Sequence, residues 1–302
     1  MKRIFSVLLL LVYAAAGLFA TGRAEAPELG TEENPIVWAF VPSGDTQEIV
    51  AGGQAVADMI FEETGLVVEA SVATEYAGVI EALQSDPPSA HMASLATFAY
   101  VVAADRGVAE AELVAVRFGR PFYDAQIIAN ADSGIETIAD LDGKSFARPD
   151  PLSTSGWIIP SLSLRAVGVN PDTDLTEIVD AGGHTSVITA VYNGDVDAGA
   201  SYVDARADVQ DDFPDVMERV RVIEVSAPIP NDGVQFHPSL SGEMREQIIQ
   251  ALLDIADTED GAAALNRAYQ WEALNRLQDD FYDPFRQVLQ SAGVDAESLL
   301  GD

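Results

Sequence analysis

Arg148-Pro149-Asp150-Pro151-Leu152-Ser153-Thr154-Ser155-Gly156-Trp157 is the stretch on which the reading of this chain turns. It follows a short strand-like run at residues 144–147 and precedes an apolar helical run that extends to about residue 167. The segment therefore reads as a strand-to-helix loop with three hydroxyl residues at the helix start. The first N–H groups of a helix have no intrahelical acceptor, and the helix dipole adds positive potential there. An oxyanion suits such a place. One Ser or Thr would suffice to cap the helix, so plain capping and anion binding both stand for this segment taken alone.

Outward from it, the same alternation of strand, loop and helix repeats. Residues 36–40 form a strand-like run, and Ile49, Val56, Met59 and Ile60 then recur at helical spacing, although Gly52 and Gly53 weaken the first turns of that helix. Strand and helix patterns follow at 66–72 and 76–83, at 91–93 and 98–104, and in a strand at 113–118. A second set runs through 123–130, 138–141, 144–147, 154–167, 175–179, 184–192, 196–200, 203–209 and 220–225. From Gly233 the pattern turns helical, at 241–256, 261–269 and 279–292. The expectation is an α/β protein of two lobes, with a parallel-rich sheet in the first. Lobe one is assigned 35–120 and 233–302, lobe two 121–232, and the two crossings are the hinge. Ligands of open α/β sheets sit beyond the carboxyl ends of the strands. That directs attention to the loops at Ser43, Tyr76, Ser153, His184 and Asp232.

The 302 residues are 48% hydrophobic, enough for a core divided between two lobes. Met1, Lys2 and Arg3 precede an apolar run at 4–18 and then small residues such as Ala20, Gly22, Ala24 and Ala26, the order of a secretory signal peptide, assigned 1–26. A membrane anchor needs roughly 20 apolar residues, and this run is shorter. The expected location is thus periplasmic or otherwise extracytoplasmic, and 27–34, rich in Glu, Pro and Gly, reads as a flexible leader. There are no cysteines, which excludes disulfides, thiolate metal sites and a cysteine-linked lipid anchor. The formal net charge is −33, and Lys144 is the only lysine besides Lys2. Nucleic acid and anionic membranes are poor partners for such a surface. A high-salt habitat and an ordinary acidic exported protein explain it equally. In either case an anion would have to be held by local dipoles and hydrogen bonds.

Two further helix starts resemble the hydroxyl segment in kind. Glu75-Tyr76-Ala77-Gly78 offers a phenol, and Gly182-Gly183-His184-Thr185-Ser186 an imidazole. Tyr76 alone is equally a core aromatic and His184 a structural histidine. The three histidines, His91, His184 and His237, have no paired metal-ligand spacing, so neither zinc nor any other cofactor is expected. A Gly-x-Ser-x-Gly elbow, a Walker loop and a dinucleotide fingerprint are all absent from the sequence. Ser153 and His184 could imitate a nucleophile and its base, but oxyanion binding accounts for both without turnover, so the chain is read as a non-enzyme.

These segments taken in order resemble the phosphate/phosphite/phosphonate substrate-binding family of ABC transporters. The matching stretches begin with Phe40-Val41-Pro42-Ser43-Gly44-Asp45 and Ala73-Thr74-Glu75-Tyr76-Ala77-Gly78-Val79. They continue through Asp150-Pro151-Leu152-Ser153-Thr154-Ser155-Gly156, Asp180-Ala181-Gly182-Gly183-His184 and Ala227-Pro228-Ile229-Pro230-Asn231-Asp232. The resemblance implies the two-lobed type II periplasmic binding protein fold with a ligand cleft between the lobes. It also implies that Tyr76, Ser153, Thr154, Ser155 and His184 hold phosphoryl oxygens, with Asp232 facing the ligand. An ionised carboxylate only accepts hydrogen bonds, so Asp232 would select a protonated oxyanion over sulfate, unless it is merely a turn residue. Relatives that take aminoalkyl phosphonates carry an aromatic residue near Leu95, where this chain reads Ser94-Leu95-Ala96-Thr97-Phe98. Asp204 stands where the family places an acid suited to an ammonium group, so that ligand class stays open. Ser43, Leu95, Thr97 and Asp204 complete the set of candidates. The function implied is capture of a small phosphorus oxyanion, phosphite or a phosphonate before phosphate, by a monomer that docks on ABC permease subunits. A sensor partner is the alternative.

Overall fold

In the computed structural model, residues 27–277 and 280–294 are described; the expected signal segment at 1–26 lies outside them. In chain order β1 (Ile36–Phe40), α1 (Thr46–Thr64), β2 (Val68–Val72), α2 (Tyr76–Gln84), β3 (Met92–Ser94), α3 (Thr97–Asp105) and β4 (Glu110–Val116) come first. After β5 (Phe122–Tyr123) the chain runs through β6 (Ala125–Asn130), β7 (Ser145–Arg148), α4 (Ile159–Ala166), β8 (Glu177–Asp180), α5 (His184–Asn193), β9 (Ala198–Tyr202), α6 (Val216–Arg219) and β10 (Val220–Val225). It then returns by β11 (Ile229–Pro230) to β12 (Gly233–Phe236), α7 (Gly242–Ala256), α8 (Glu259–Tyr269), β13 (Ala273–Arg276) and α9 (Asp283–Ser291).

Among the described residues the strands make a six-stranded sheet, β13-β4-β12-β3-β1-β2, and a five-stranded sheet, β10-β6-β9-β7-β8. Between them the short strands β5 and β11 pair antiparallel where the chain crosses twice. The expected parallel-rich first sheet is in fact mixed. β1 pairs parallel with β2 and β3, but β12 lies antiparallel to both β3 and β4, and β13 antiparallel to β4. The reason is connectivity: β12 enters from the second crossing in the opposite direction and fills the centre of a sheet begun by strand–helix–strand units. Residues 27–34 also differ from a flexible leader. Gly30 is buried, its carbonyl accepts from Val67 N at 2.9 Å, and Thr31 and Asn34 form an isolated bridge. No helix among the described residues is long and apolar enough to cross a membrane.

Gly52 and Gly53, which weakened the first helix on propensity grounds, are the residues that seat it. A Cβ at Gly52 would lie 2.6 Å from Ala268 N and 2.7 Å from Ala264 O, and one at Gly53 would lie 2.9 Å from the Phe40 ring. α1 thus packs backbone to backbone on α8, a closeness that only glycine allows, and this holds Arg267, Ala268 and Tyr269 over the carboxyl end of β1. Gly52→Ala is expected to push the two helices apart and to destabilise the fold by about 1–3 kcal/mol, read as a lowered midpoint in urea denaturation. An unchanged midpoint would mean that α8 shifts freely.

Candidate ligand-binding site

The loops that leave β1, β3, β4, β7, β8 and β9 converge on a cavity of about 380 Å³. Its lining includes Ser43, Tyr76, Arg117, Tyr123, Ser153, Thr154, Ser155, His184 and Asp232. Six residues expected to hold phosphoryl oxygens or face the ligand, and Ser43 among the further candidates, are therefore brought together. The other three candidates are not among the lining residues. Leu95 is fully buried and its N–H donates to Gln235 Oε1, so its side chain belongs to the core. Thr97 Oγ1 donates to Pro230 O at 2.7 Å. Asp204 takes Arg206 Nε at 2.9 Å and Arg206 Nη2 at 2.7 Å, with Gln126 at 3.2 Å, and this pairing holds its carboxyl below the ordinary range despite burial.

The hydroxyl segment opens on a wide turn rather than the α-helix expected from 154. Ser153 O accepts from both Trp157 N and Ile158 N at 3.0 Å, and Thr154–Ile158 is a π-turn that passes into α4. Pro160 lies in the first turn of α4 and has no N–H to return to Gly156 O, so the ordinary ladder cannot continue through this point. π-turns of this kind are frequent at functional sites. A Cβ on Gly156 would stand 2.2 Å from Pro149 Cδ, which lets the loop fold back tightly on the turn. Ser153 caps the turn through Gly156 N at 3.2 Å, so capping occurs as well; Thr154 and Ser155 are additional to it.

Three hydrogen bonds tie the facing loops across the cavity. Tyr76 N, at the start of α2, donates to Asp150 Oδ2 at 3.0 Å, while Asp150 Oδ1 accepts from Leu152 N. Phe98 N, at the start of α3, donates to Thr154 Oγ1 at 2.8 Å. His184 N, at the start of α5, donates to Ser43 O at 3.0 Å. The leading N–H of each of these helices is thus engaged by protein. For Thr154 one acceptor lone pair is used and the hydroxyl proton is left to donate. Asp150 was legible only as part of a loop.

Arg117 was missed altogether. It follows β4, and each of its five N–H groups has an acceptor. Nε and Nη2 donate to Tyr269 O at 3.1 and 2.9 Å, Nη1 to Asn231 Oδ1 and to Asp232 Oδ1 at 2.5 Å, and Nη2 to Asp232 Oδ2 at 3.2 Å. Burial opposes the guanidinium charge, and the Asp232 carboxylate more than restores it. The expected lone carboxylate is therefore one half of an ion pair. The neutral groups around it are kept neutral. Burial raises the Tyr76 phenol, and burial with Asp232 pushes Tyr123 up to about 12. The Tyr76 hydroxyl lies within reach of Ser153, and that of Tyr123 within reach of Thr97 and Ser155. Among the described residues no cluster of His, Cys, Asp and Glu is arranged to hold a metal ion.

His184 packs its ring on Tyr202 at 4.7 Å, and its Nδ1 meets Ser201 Oγ at 2.8 Å, which leaves Nε2 for the cavity. Burial, helped by the Arg117 charge, lowers its pKa to about 3. An unfolded histidine takes up a proton near 6.5. The folded ring refuses that proton until about pH 3, so its contribution to stability is complete above 6.5 and declines as the pH falls toward 3. Titration of the empty protein by NMR is expected to show His184 neutral at pH 5. A midpoint near 6.5 would mean that the ring is not sealed from water.

Comparison with known proteins agrees with this arrangement. Residues 38–282 match the family model described as "ABC transporter, phosphonate, periplasmic substrate-binding protein". The chain is 32% identical over 196 residues to the "Phosphate-import protein PhnD" of Mycolicibacterium smegmatis, an alignment that spans 61% of this chain and 60% of that protein. It is 28% identical over 233 residues to the "Phosphonates-binding periplasmic protein" of Escherichia coli, covering 75% and 68%. Among solved structures, the binding component of an ABC phosphonate transporter from Pseudomonas aeruginosa superposes with a TM-score of 0.78 at 24% identity, covering 86% of this chain and 87% of that one. PhnD1 of Prochlorococcus marinus in complex with methylphosphonate gives 0.74 at 12% identity, covering 85% and 98%. With sheet order, cavity and hydroxyl turn all in place, the chain has the type II periplasmic binding protein fold and belongs to the phosphonate family of ABC transporter periplasmic substrate-binding proteins.

Proposed function

We propose that the protein captures a small phosphorus oxyanion outside the cytoplasm, phosphite or a phosphonate before phosphate, and presents it as a monomer to the permease of an ABC transporter. The lobes are 35–120 with 233–302 and 121–232, hinged where β5 pairs with β11. The observation that carries this reading is the chemistry of the cavity wall. Its inner donors are phenols, hydroxyls and a neutral imidazole, and the N–H groups of Arg117 beside them are engaged by Asp232, Asn231 and Tyr269 O. Such a wall binds by directed hydrogen bonds rather than by net charge. Asp232 keeps lone pairs for the proton of a P–OH group, a proton that sulfate lacks. Asp204 is tied to Arg206, which argues against a ligand ammonium at that place.

In calorimetric titration at neutral pH, methylphosphonate and phosphite are expected to bind, 2-aminoethylphosphonate more weakly, and sulfate far more weakly still. Binding of sulfate as tightly as methylphosphonate would defeat the proposal. Thr154→Ala removes a ligand donor and also the acceptor of Phe98 N, so methylphosphonate affinity should fall by about 1–3 kcal/mol; an unchanged value would reduce Thr154 to a structural cap. Asp232→Asn should unmask the Arg117 charge and strengthen sulfate binding by about tenfold or more. Equal sulfate affinity in both proteins would show that the pair does not govern selectivity.

A further inference from the structure

The cavity has a second half that the oxyanion cradle does not use. Tyr76, Ser153, Thr154, Ser155 and His184 are buried, but the lining continues to Phe118, Asp208, Asn266, Arg267 and Gln270 at the solvent edge. A volume of about 380 Å³ corresponds to about a dozen waters at roughly 30 Å³ each, far more than a methylphosphonate ion fills.

The backbone of this outer half is unusual in one respect. Among the described residues Phe118 and Gln270 are the non-glycine residues with positive φ, at 52° and 57°, and both line the cavity. Phe118 is the first central residue of a two-residue hairpin turn, with Arg117 N and Arg120 O bonded at 3.1 Å in each direction and Gly119 at φ 72°. A turn with two positive φ values favours Asn, Asp or Gly at that position, and a bulky side chain there is strained. The residue is nonetheless 71% exposed, so its side chain packs into no core that would compensate. Gln270 occupies the left-handed cap of α8, where Gly or Asn is usual. Its Nε2 donates to Asp208 Oδ1 at 2.7 Å, so the amide bridges the two sides of the rim. Local preference is overridden twice at one rim, which is where functional demand is expected.

The charged groups of the rim already hold partners, while the Asn266 amide and the Thr185 hydroxyl stay available at its margin. Asp208 also accepts from the Tyr202 hydroxyl, Glu48 pairs with Arg267 at 2.6 Å, and Asp45 caps α1 through Gln47 N and Glu48 N. The apolar surface left for a ligand in this half is the exposed Phe118, with Ile49, Val203 and Ala268 lining the same cavity.

From these features we infer that the outer half is a subsite for a flat, uncharged, mainly apolar substituent on the phosphorus, with Phe118 as its platform. This rests on the phosphorus-oxyanion reading of the inner half and selects within it for organophosphonates. The test titrates methylphosphonate and phenylphosphonate into the wild type and into Phe118→Gly, a substitution that relieves the positive φ. The wild type is expected to bind phenylphosphonate about tenfold more tightly than methylphosphonate, from burial of the ring. In Phe118→Gly that ratio should fall below about threefold, the loss of one aromatic contact. If methylphosphonate binds the wild type and phenylphosphonate binds no better, the subsite is refuted and the oxyanion reading survives. If the preference persists in Phe118→Gly, the platform is refuted. If neither ligand nor phosphite binds, the oxyanion reading fails and this inference falls with it.

Discussion

The half-buried pair of Arg117 and Asp232 is the interaction on which the rest of the site depends. Arg117 stands just after β4, and Asp232 just before β12, so the pair joins the two crossings side by side. Through Tyr269 O it also fixes the end of α8, which the glycines of α1 have already drawn close. Asn231 completes the junction, with its N–H on Pro121 O and its Nδ2 on Ala115 O. Loss of either charge would leave the other partly desolvated and unpaired, a costly state. If β5 and β11 form the proposed hinge, a junction so fastened would let it flex while the floor of the cavity keeps its shape.

The pair also sets the electrostatic character of the pocket. The protein carries a formal net charge of −33, and a free cation in the cleft would attract any anion without distinction. Here the one arginine in the inner wall is balanced in place, and what lines the wall beside it are phenols, hydroxyls and an imidazole that stay neutral over a wide pH range. Hydrogen bonds of this kind discriminate by direction and by proton content, because each donor or acceptor left unmatched in a buried wall is penalised. On the proposed function, selectivity would come from the geometry of Ser153–Ser155, Tyr76 and Tyr123 rather than from attraction at long range.

Much of this was legible in the sequence, and what was not has identifiable physical causes. The alternation of apolar runs and glycine-bearing loops exposed the α/β order, and the crowd of hydroxyls at 153–155 exceeded what a cap requires. Arg117 gave no signal, since one arginine after a strand is indistinguishable from a surface charge until its four acceptor atoms are assembled from segments up to 152 residues away. Asp150 was visible but looked like a loop residue, because its partner Tyr76 N is 74 positions distant. Propensity misjudged Gly52 and Gly53, whose worth lies in a helix contact that the local sequence does not contain. The π-turn was likewise read as α because periodicity ignores the missing donor at Pro160. Leu95 and Thr97 were drawn in by resemblance, and tertiary packing turned both inward.

The three cross-cavity bonds made by Asp150, Thr154 and Ser43 link one protein group to another. If the lobes hinge as proposed, these bonds would make closure partly self-supporting, and an empty molecule would divide its time between gaping and shut forms in proportion to what they contribute. Only the gaping form would admit a ligand, so capture would slow by the fraction of time spent shut, and the loaded form would release its cargo only when those same bonds yield. Holding time and capture speed would thus be set against each other by three hydrogen bonds, and a lineage in scarce or plentiful surroundings could retune the balance at Asp150 or Thr154 without rebuilding the pocket.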